Sequence, residues 1–223
     1  MKKILLAGNS VAAEIIVGYL RQDARYQVLA CVVDDEYVNS GGIEGLPSMG
    51  LSQLEVNYPA DGVSFMMAMG YNDLNRSREK MFNKLKCMGY TIETYVHPDA
   101  RVYSEYPLGE GAVICSGAII EPKAKVGANT LIWAGVVLAH HSIVGDHCWV
   151  AANSVISGQA VVERNTFIGV SVTVVNKVTV GEYNIIGAAA LITKDTKPGS
   201  VHLARSGEPL RYSAEDYIKF FGF

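Results

Sequence analysis

What this chain of 223 residues lacks narrows the possibilities first. No stretch approaches the roughly eighteen consecutive apolar residues that a membrane-spanning helix needs. The opening Met1-Lys2-Lys3-Ile4-Leu5-Leu6-Ala7-Gly8 puts lysines before an apolar run, but the run ends after four residues. That is too short for a secretory leader and reads as a first β-strand. The four cysteines, Cys31, Cys87, Cys115 and Cys148, have neither CxxC nor Cys/His ligand spacing. Reduced thiols in a cytoplasmic protein are therefore expected, not a disulfide framework or a zinc site. A charge excess is also missing: the formal net charge of -3 offers neither a nucleic-acid-binding surface nor an acidic tail. The glycines of the redox-dinucleotide fingerprint are absent, because Gly8 stands alone in its loop. With 49% hydrophobic residues, the chain is expected to be globular, with enough length for two modest domains.

What is present is a period of six. From Val96 every sixth residue is Val, Ile or Leu: Val102, Leu108, Ile114, Ile120, Val126, Ile132, Leu138, Val144, Val150, Ile156, Val162, Ile168, Val174, Val180, Ile186 and Ile192. At ordinary usage of these residue types, chance yields such a run about once in ten billion. Two positions before the next aliphatic the residue is mostly small, as at Ala112, Ala118, Ala124, Thr130, Ser142 and Ser154. Gly109, Gly127, Gly145, Gly169, Gly181 and Gly187 follow the aliphatic directly, where glycine is expected to relieve a bend. Three such hexads close a triangular coil of roughly eighteen residues, so the run makes roughly five to six coils. Runs such as Val136-Val137-Leu138 could be sandwich strands, but a sandwich has no reason to hold phase six through every turn. Residues 96–197 are read as a left-handed parallel β-helix.

Before the repeats, strands and helices alternate. Strands are expected at Lys3 to Ala7, Val28 to Val33, Val63 to Met69 and Thr91 to Tyr95, with helices from about Val11 to Arg21 and Asn72 to Met88. This pattern predicts a small Rossmann-like, mostly parallel α/β domain over residues 1–95. Ligands gather where the strands of such a sheet end, so Gly8, Asn9 and Ser10, Asp34 and Asp35, and Gly70, Tyr71 and Asn72 should share one edge. The Gly8 loop leads into a helix N-terminus suited to phosphate, and the Asp pair suits ribose hydroxyls or a base edge. The plain alternative is a turn at Gly8 and a solvated cap at the Asp pair. In the final part, residues 198–223, Lys197-Pro198-Gly199 breaks the repeat and Ser213-Ala214-Glu215-Asp216 opens a short helix. That helix is expected to cover the open end of the solenoid or a neighbouring subunit.

Acyl transfer needs a base for the acceptor's proton and a donor for the oxyanion. Of the histidines, His97 precedes Pro98 between the two domains and reads as structural, and His202 lies beyond the repeats. His140 and His141 fall on an outward turn, where they face a cleft or solvent. A metal site is disfavoured there, because the turn offers no carboxylate or thiol. Gly158 stands one coil beyond His140 and is the candidate oxyanion donor, or else simply the turn residue.

A wider set of marks covers nearly the whole chain. It comprises the Gly8 loop, Asp34-Asp35, Ala68-Met69-Gly70-Tyr71-Asn72 with Arg76, and Val96-His97-Pro98. It continues with the His140-His141-Ser142-Ile143-Val144-Gly145-Asp146 turn and the segment from Gly187 through Ala188 to Lys194-Asp195. Together they resemble the bacterial PglD and NeuD group of sugar acyltransferases. The resemblance implies an N-terminal domain that holds the nucleotide of a nucleotide-linked sugar, acetyl-CoA as co-substrate on the β-helix, and a homotrimer with active sites between subunits. It implies that His140 is the general base and that Gly169, Gly187, Ala188 and Lys194 line the CoA groove. No metal, nucleic acid or membrane span is expected. Many members carry an acidic residue directly after the catalytic histidine; here His141 stands there. Asp146 or a backbone carbonyl is then left to orient the ring, with His141 as an alternative base. Ala204-Arg205-Ser206-Gly207-Glu208-Pro209 departs from the Gly-Asn-Pro-Ala segment of relatives. The expected activity is acetylation of the amine of a nucleotide-linked 4-amino-4,6-dideoxy sugar. O-acetylation of a sialic-acid-like sugar and a non-catalytic trimeric scaffold or sensor are the alternatives.

Overall fold

Strands buried on both faces must be apolar throughout, and Ile4, Leu5, Leu6 and Ala7 in β1 (Lys2–Ala7) are all fully buried. The computed structural model describes residues 1–222. It continues through α1 (Val11–Arg21), β2 (Tyr26–Val33), β3 (Ser48–Gly50), α2 (Leu54–Asn57), β4 (Ser64–Met67), α3 (Arg76–Cys87) and β5 (Thr91–Ile92). The five strands form one parallel sheet in the order β3-β2-β1-β4-β5. The chain works outward from β1 to β3, then returns to the other side of β1 for β4. α3 begins at Arg76, four residues later than the pattern predicts, because Asp73, Leu74 and Asn75 all take left-handed φ values of 51°, 50° and 64°. The single strand expected at Thr91 to Tyr95 is two: β5 pairs with β4, while Tyr95–Val96 pairs with Val113–Ile114 of the solenoid.

The solenoid is built from two-residue strands whose partners stand one coil apart, as in Leu131↔Trp149, Val137↔Val155 and Ile143↔Val161. They stack into three parallel sheets of four, seven and six strands, the last strand being Val201–His202. The hexad aliphatics from Ile114 to Ile192 form one buried core, with Val96 and Leu108 partly buried against it. Val102 departs from the expected pattern at 37% exposed, because its strand Arg101–Val102 is the last of its sheet and pairs on one side only. The small position before each strand does more than save space. Thr130, Ser154 and Thr166 each donate a hydroxyl hydrogen bond to a carbonyl of the next coil (Gly145, Gly169 and Gly181) at 2.7–2.9 Å. Each also accepts from a backbone N–H of that coil.

The glycines after the aliphatic have a different role from the one expected. The left-handed bend falls two residues later, at Lys123, Asn129, His141, His147, Asn153 and their equivalents, where Asn and His recur and glycine stands at Gly111, Gly117 and Gly135. The glycines serve coil stacking instead: a Cβ on Gly127 would stand 2.4 Å from the Gly145 carbonyl carbon and 2.5 Å from the Asp146 nitrogen.

The first half packs on the outer face of the seven-stranded sheet. Ala12, Ala13, Ile16 and Val17 of α1 share a cluster with Tyr95, Val113, Leu131, Trp133 and Trp149. The final helix, α4 (Ala214–Phe221), is capped as expected, with Ser213 Oγ accepting from the Asp216 N–H at 3.1 Å. None of its residues is fully buried within one chain. No helix among the described residues is long and apolar enough to cross a membrane.

Gly127→Ala is expected to lower the unfolding free energy by about 1–3 kcal/mol through overpacking between coils, read as a shifted urea midpoint. In Gly62→Ala the added methyl meets nothing nearer than 3.6 Å. That substitution should change stability by less than about 0.5 kcal/mol.

Candidate active site

The reversal of strand order at β1 opens a crevice at the carboxyl ends of the strands. It is a cavity of about 530 Å³ that includes Gly8, Asn9 and Ser10 after β1, Asp34 after β2, Gly70 and Asn72 after β4, and one face of α3. Gly8 is required there: its φ is +122°, and a Cβ would lie 2.9 Å from the Ala68 carbonyl oxygen. Ser10 makes no side-chain cap on α1: its carbonyl accepts from the Ala13 N–H at 2.7 Å, while its hydroxyl claims none of the first-turn N–H groups. On another wall Ser77, Lys80 and Lys84 stand at i, i+3 and i+7 of α3. Lys84 Nζ donates to Asp34 Oδ1 at 2.7 Å. A helix N-terminus and two ammonium groups around a polar cleft form a setting for a phosphorylated ligand.

Two of the eight residues expected at this edge are placed elsewhere. Asp35 turns into the chain that follows β3, where its Oδ1 accepts from the Ser52 hydroxyl at 2.5 Å and the Ser52 N–H at 3.3 Å. These bonds hold its carboxyl below the ordinary aspartate range. Tyr71 lies on the solenoid, its ring centroid 4.6 Å from that of Phe167 and 5.1 Å from that of Trp149, so its aromatic face packs on those rings. Ser77, Lys80 and Lys84 were not anticipated. Their helical spacing was visible in the sequence, but it is also the spacing of a solvated helix face.

The opposite side of α3 holds the solenoid. Arg78 is fully buried. Its Nη2 donates to the carbonyls of His147 and Cys148 at 2.9 Å each, and its Nε to that of Asn129 at 3.3 Å. Nη1 donates to the Gly70 carbonyl at 3.2 Å and to Asn75 Oδ1 at 2.9 Å. Burial lowers this guanidinium's pKa to about 10, which still leaves it charged at neutral pH. Next to it Glu79 accepts from Arg164 at 2.6 Å and Asn165 at 2.9 Å, with His147 Nε2 3.6 Å away.

Corners of successive coils stack into columns. In one column His140 lies against Gly158: a Cβ on Gly158 would be 2.6 Å from His140 Cε1 and 2.7 Å from Nε2. His140 Nδ1 is 3.2 Å from His141 Nδ1, with the rings nearly perpendicular at 86°. This pairing engages Nδ1 and leaves Nε2 of His140 for a ligand. Glu121, one coil earlier, accepts from the His140 N–H at 2.7 Å. The equivalent residue for Gly158 is Ala139, which has no carboxylate, and the Gly158 N–H makes no backbone hydrogen bond among the described residues. Asp146 does not orient His140. It belongs to the next corner, where it accepts from the Ala128 N–H at 2.7 Å.

Gly169, Gly187 and Ala188 stack in a different column, where a Cβ on Gly169 would lie 2.6 Å from the Ala188 nitrogen. Lys194 stands in the His140 column, at the same place of its hexad as His140 and Gly158. Within one chain the residues expected to line the CoA groove are thus split between two corners. No group of three or more His, Cys, Asp or Glu among the described residues is gathered as a metal centre.

Comparison with known proteins bears on this geometry. Residues 123–158 match the family model described as bacterial transferase hexapeptide (six repeats). A search of curated proteins finds no match. Among solved structures, the chain is similar to a histidine-to-asparagine variant of perosamine N-acetyltransferase from Caulobacter crescentus in complex with CoA and GDP-perosamine. The TM-score is 0.81 at 25% identity, covering 92% of this chain and 94% of that one. WeeI from Acinetobacter baumannii AYE shares the fold with a TM-score of 0.79 at 20% identity, covering 90% and 96% of the two chains. So does the acetyltransferase domain of PglB from Neisseria gonorrhoeae FA1090 in complex with acetyl coenzyme A, with a TM-score of 0.58 at 22% identity over 94% and 99%.

The contact between the two halves carries a pH dependence. Burial lowers the His147 imidazole below its ordinary value of 6.5. The unfolded chain therefore takes up a proton at a pH where the folded chain does not. Stability is fully present above about 6.5 and declines as the pH falls through that value toward the folded one. His147→Asn, which also accepts a left-handed turn, should flatten the fall in urea midpoint between about pH 7.5 and 5.5. An unchanged slope would assign that dependence to other groups.

Proposed function

We propose that this chain, a left-handed β-helix with hexapeptide repeats built like the sugar acyltransferases of the PglD and NeuD type, transfers acetyl from acetyl-CoA to the amine of a nucleotide-linked 4-amino-4,6-dideoxy sugar. The observation that carries this reading is the His140 ring stacked over Gly158, whose backbone N–H has no backbone partner among the described residues.

Acetyl-CoA supplies the thioester carbonyl that the amine attacks, with the C–S bond broken and the free thiol released. His140 Nε2 takes the proton from the attacking amine and returns it to the departing sulfur. His141 accepts from His140 Nδ1–H, which sets the tautomer that leaves Nε2 free. The Gly158 N–H donates to the oxygen that becomes negative as the carbon turns tetrahedral. Its missing side chain is what allows ring and thioester to approach together. Lys80, Lys84 and the N-terminus of α1 hold the acceptor's diphosphate, and Asp34 meets its ribose or base.

Two placements support a homotrimer with sites between subunits. No residue lining the acceptor cavity lies beyond Lys84, whereas His140 stands on a solenoid corner. A second copy would bring one chain's cavity to the other's histidine. A cleft between two solenoids would likewise unite Lys194 of one copy with Gly169, Gly187 and Ala188 of the next. With its four cysteines unpaired, the chain is assigned to the cytoplasm.

Thiol release from acetyl-CoA, measured against a panel of nucleotide-linked amino sugars and their hydroxyl counterparts, should show turnover only with the amines. His140→Ala should lower kcat at least ~100-fold. Gly158→Ala should also lower kcat, because the new methyl displaces the imidazole. Turnover unaffected by His140→Ala would sink the mechanism, and light scattering that gives a monomer would sink the shared site.

A further inference from the structure

α3 is a wall shared by the acceptor cavity and the solenoid. Ser77, Lys80 and Lys84 face the cavity, while Arg78 and Glu79 engage solenoid groups. The loop before it, from Gly70 to Asn75, gives the cavity Gly70 and Asn72 and then runs through three successive left-handed residues, none of them glycine. Asp and Asn tolerate a left-handed backbone singly, but three in succession with Leu74 between them are costly, so something outside the loop must maintain the run. Two side chains do. Asn75, itself buried, donates to the Thr166 carbonyl at 3.5 Å and accepts from Arg78. Arg78 spans loop and solenoid at once, with two acceptors in the loop (the Gly70 carbonyl and Asn75 Oδ1) and three on solenoid turns (the carbonyls of Asn129, His147 and Cys148). A guanidinium with five N–H donors in a planar fork can serve these five acceptors; an ammonium with three cannot.

We propose that Arg78 is a positioning residue for the acceptor. It fastens the Gly70–Asn75 loop to the solenoid, so the loop wall of the acceptor cavity keeps its shape through bonds to the other half of the protein. Arg78 touches no ligand, and the proposal rests on the reading above that this cavity takes the nucleotide part of the acceptor. The effect belongs to acceptor binding, because none of Arg78's hydrogen bonds among the described residues reaches the His140 corner or the Gly169 column.

The test is a KM split in full-length protein. Arg78→Lys should raise the KM for the sugar nucleotide at least tenfold while the KM for acetyl-CoA stays within twofold and kcat within threefold, by the donor-count argument. Asn75→Gly keeps the left-handed backbone without strain and removes only the side-chain bonds; it should act in the same direction. Equal changes in both KM values and kcat, or an unchanged acceptor KM in a folded variant, would overturn the proposal. Hydrogen exchange on the wild-type protein decides the matter even if both variants fold poorly. The Asn75 and Glu79 amides should be protected to the same degree as solenoid amides such as Cys148, and free exchange through the loop would overturn the latch. If the wild-type protein binds no nucleoside diphosphate by calorimetry, the reading of the cavity fails, and the exchange result reports separately on the fastening.

Discussion

The solenoid half depends on one constraint: through Ile192 each coil's backbone bonds to the same place in the next coil, and only the last strand, where Ile185 pairs with Val201, falls out of that register. Pairings such as Leu131↔Trp149, Val137↔Val155 and Ile143↔Val161 repeat this spacing in all three sheets, so every place in the hexad becomes a column. The interior column must be aliphatic, because it sees no water. The column before it must be small or carry a hydroxyl that can bond the neighbouring coil, as Thr130, Ser154 and Thr166 do. The bend column must tolerate a left-handed backbone. His140 and Gly158 come together under the same constraint, since residues at equal places in adjacent coils are held about 4.8 Å apart by the strand spacing.

A second dependence crosses between the halves. The α/β sheet could hold a ligand at its carboxyl edge unaided, but the loop that closes one side of that edge is bonded to solenoid carbonyls through Arg78 and Asn75. A buried guanidinium whose acceptors are neutral carbonyl and amide oxygens, not a carboxylate, is costly to desolvate. It is tolerated because each of its five donors is used, so the arrangement exists only when both halves are folded and docked. Glu79, Arg164, Asn165 and His147 extend this contact into a polar network that adjoins the apolar one formed by α1, Trp133 and Trp149.

The repeat was legible because its signal is redundant. A broken coil at one position would still leave the phase readable at the others, and the interior aliphatics from Ile114 to Ile192 occupy the places the phase assigns them. The parallel α/β half was legible for a related reason: β1, α1 and β2 fall close to their expected bounds because buried strands and a one-sided helix leave different apolar periods. What misled was composition without geometry. Glycine after each aliphatic resembles a bend residue, yet Gly109, Gly127 and Gly169 are there so that the next coil's backbone can approach. Asp34 and Asp35 are neighbours in sequence, but only Asp34 lines the cavity, because the turn that starts at Asp35 points that side chain at Ser52.

The sequence by itself determined the coil, its phase and the placing of His140 one turn from Gly158, since these follow from counting residues along a strictly periodic backbone. Tertiary structure alone decided which face of α3 meets the cavity and which meets the solenoid. It also decided that Arg78 is buried rather than solvated and that Tyr71 leaves the cavity for the Trp149 and Phe167 rings. A charged or polar residue on a helix or loop reads the same whether water or a carbonyl from the other half of the chain satisfies it. Only the docking of the two halves distinguishes these cases, and no local periodicity encodes that docking.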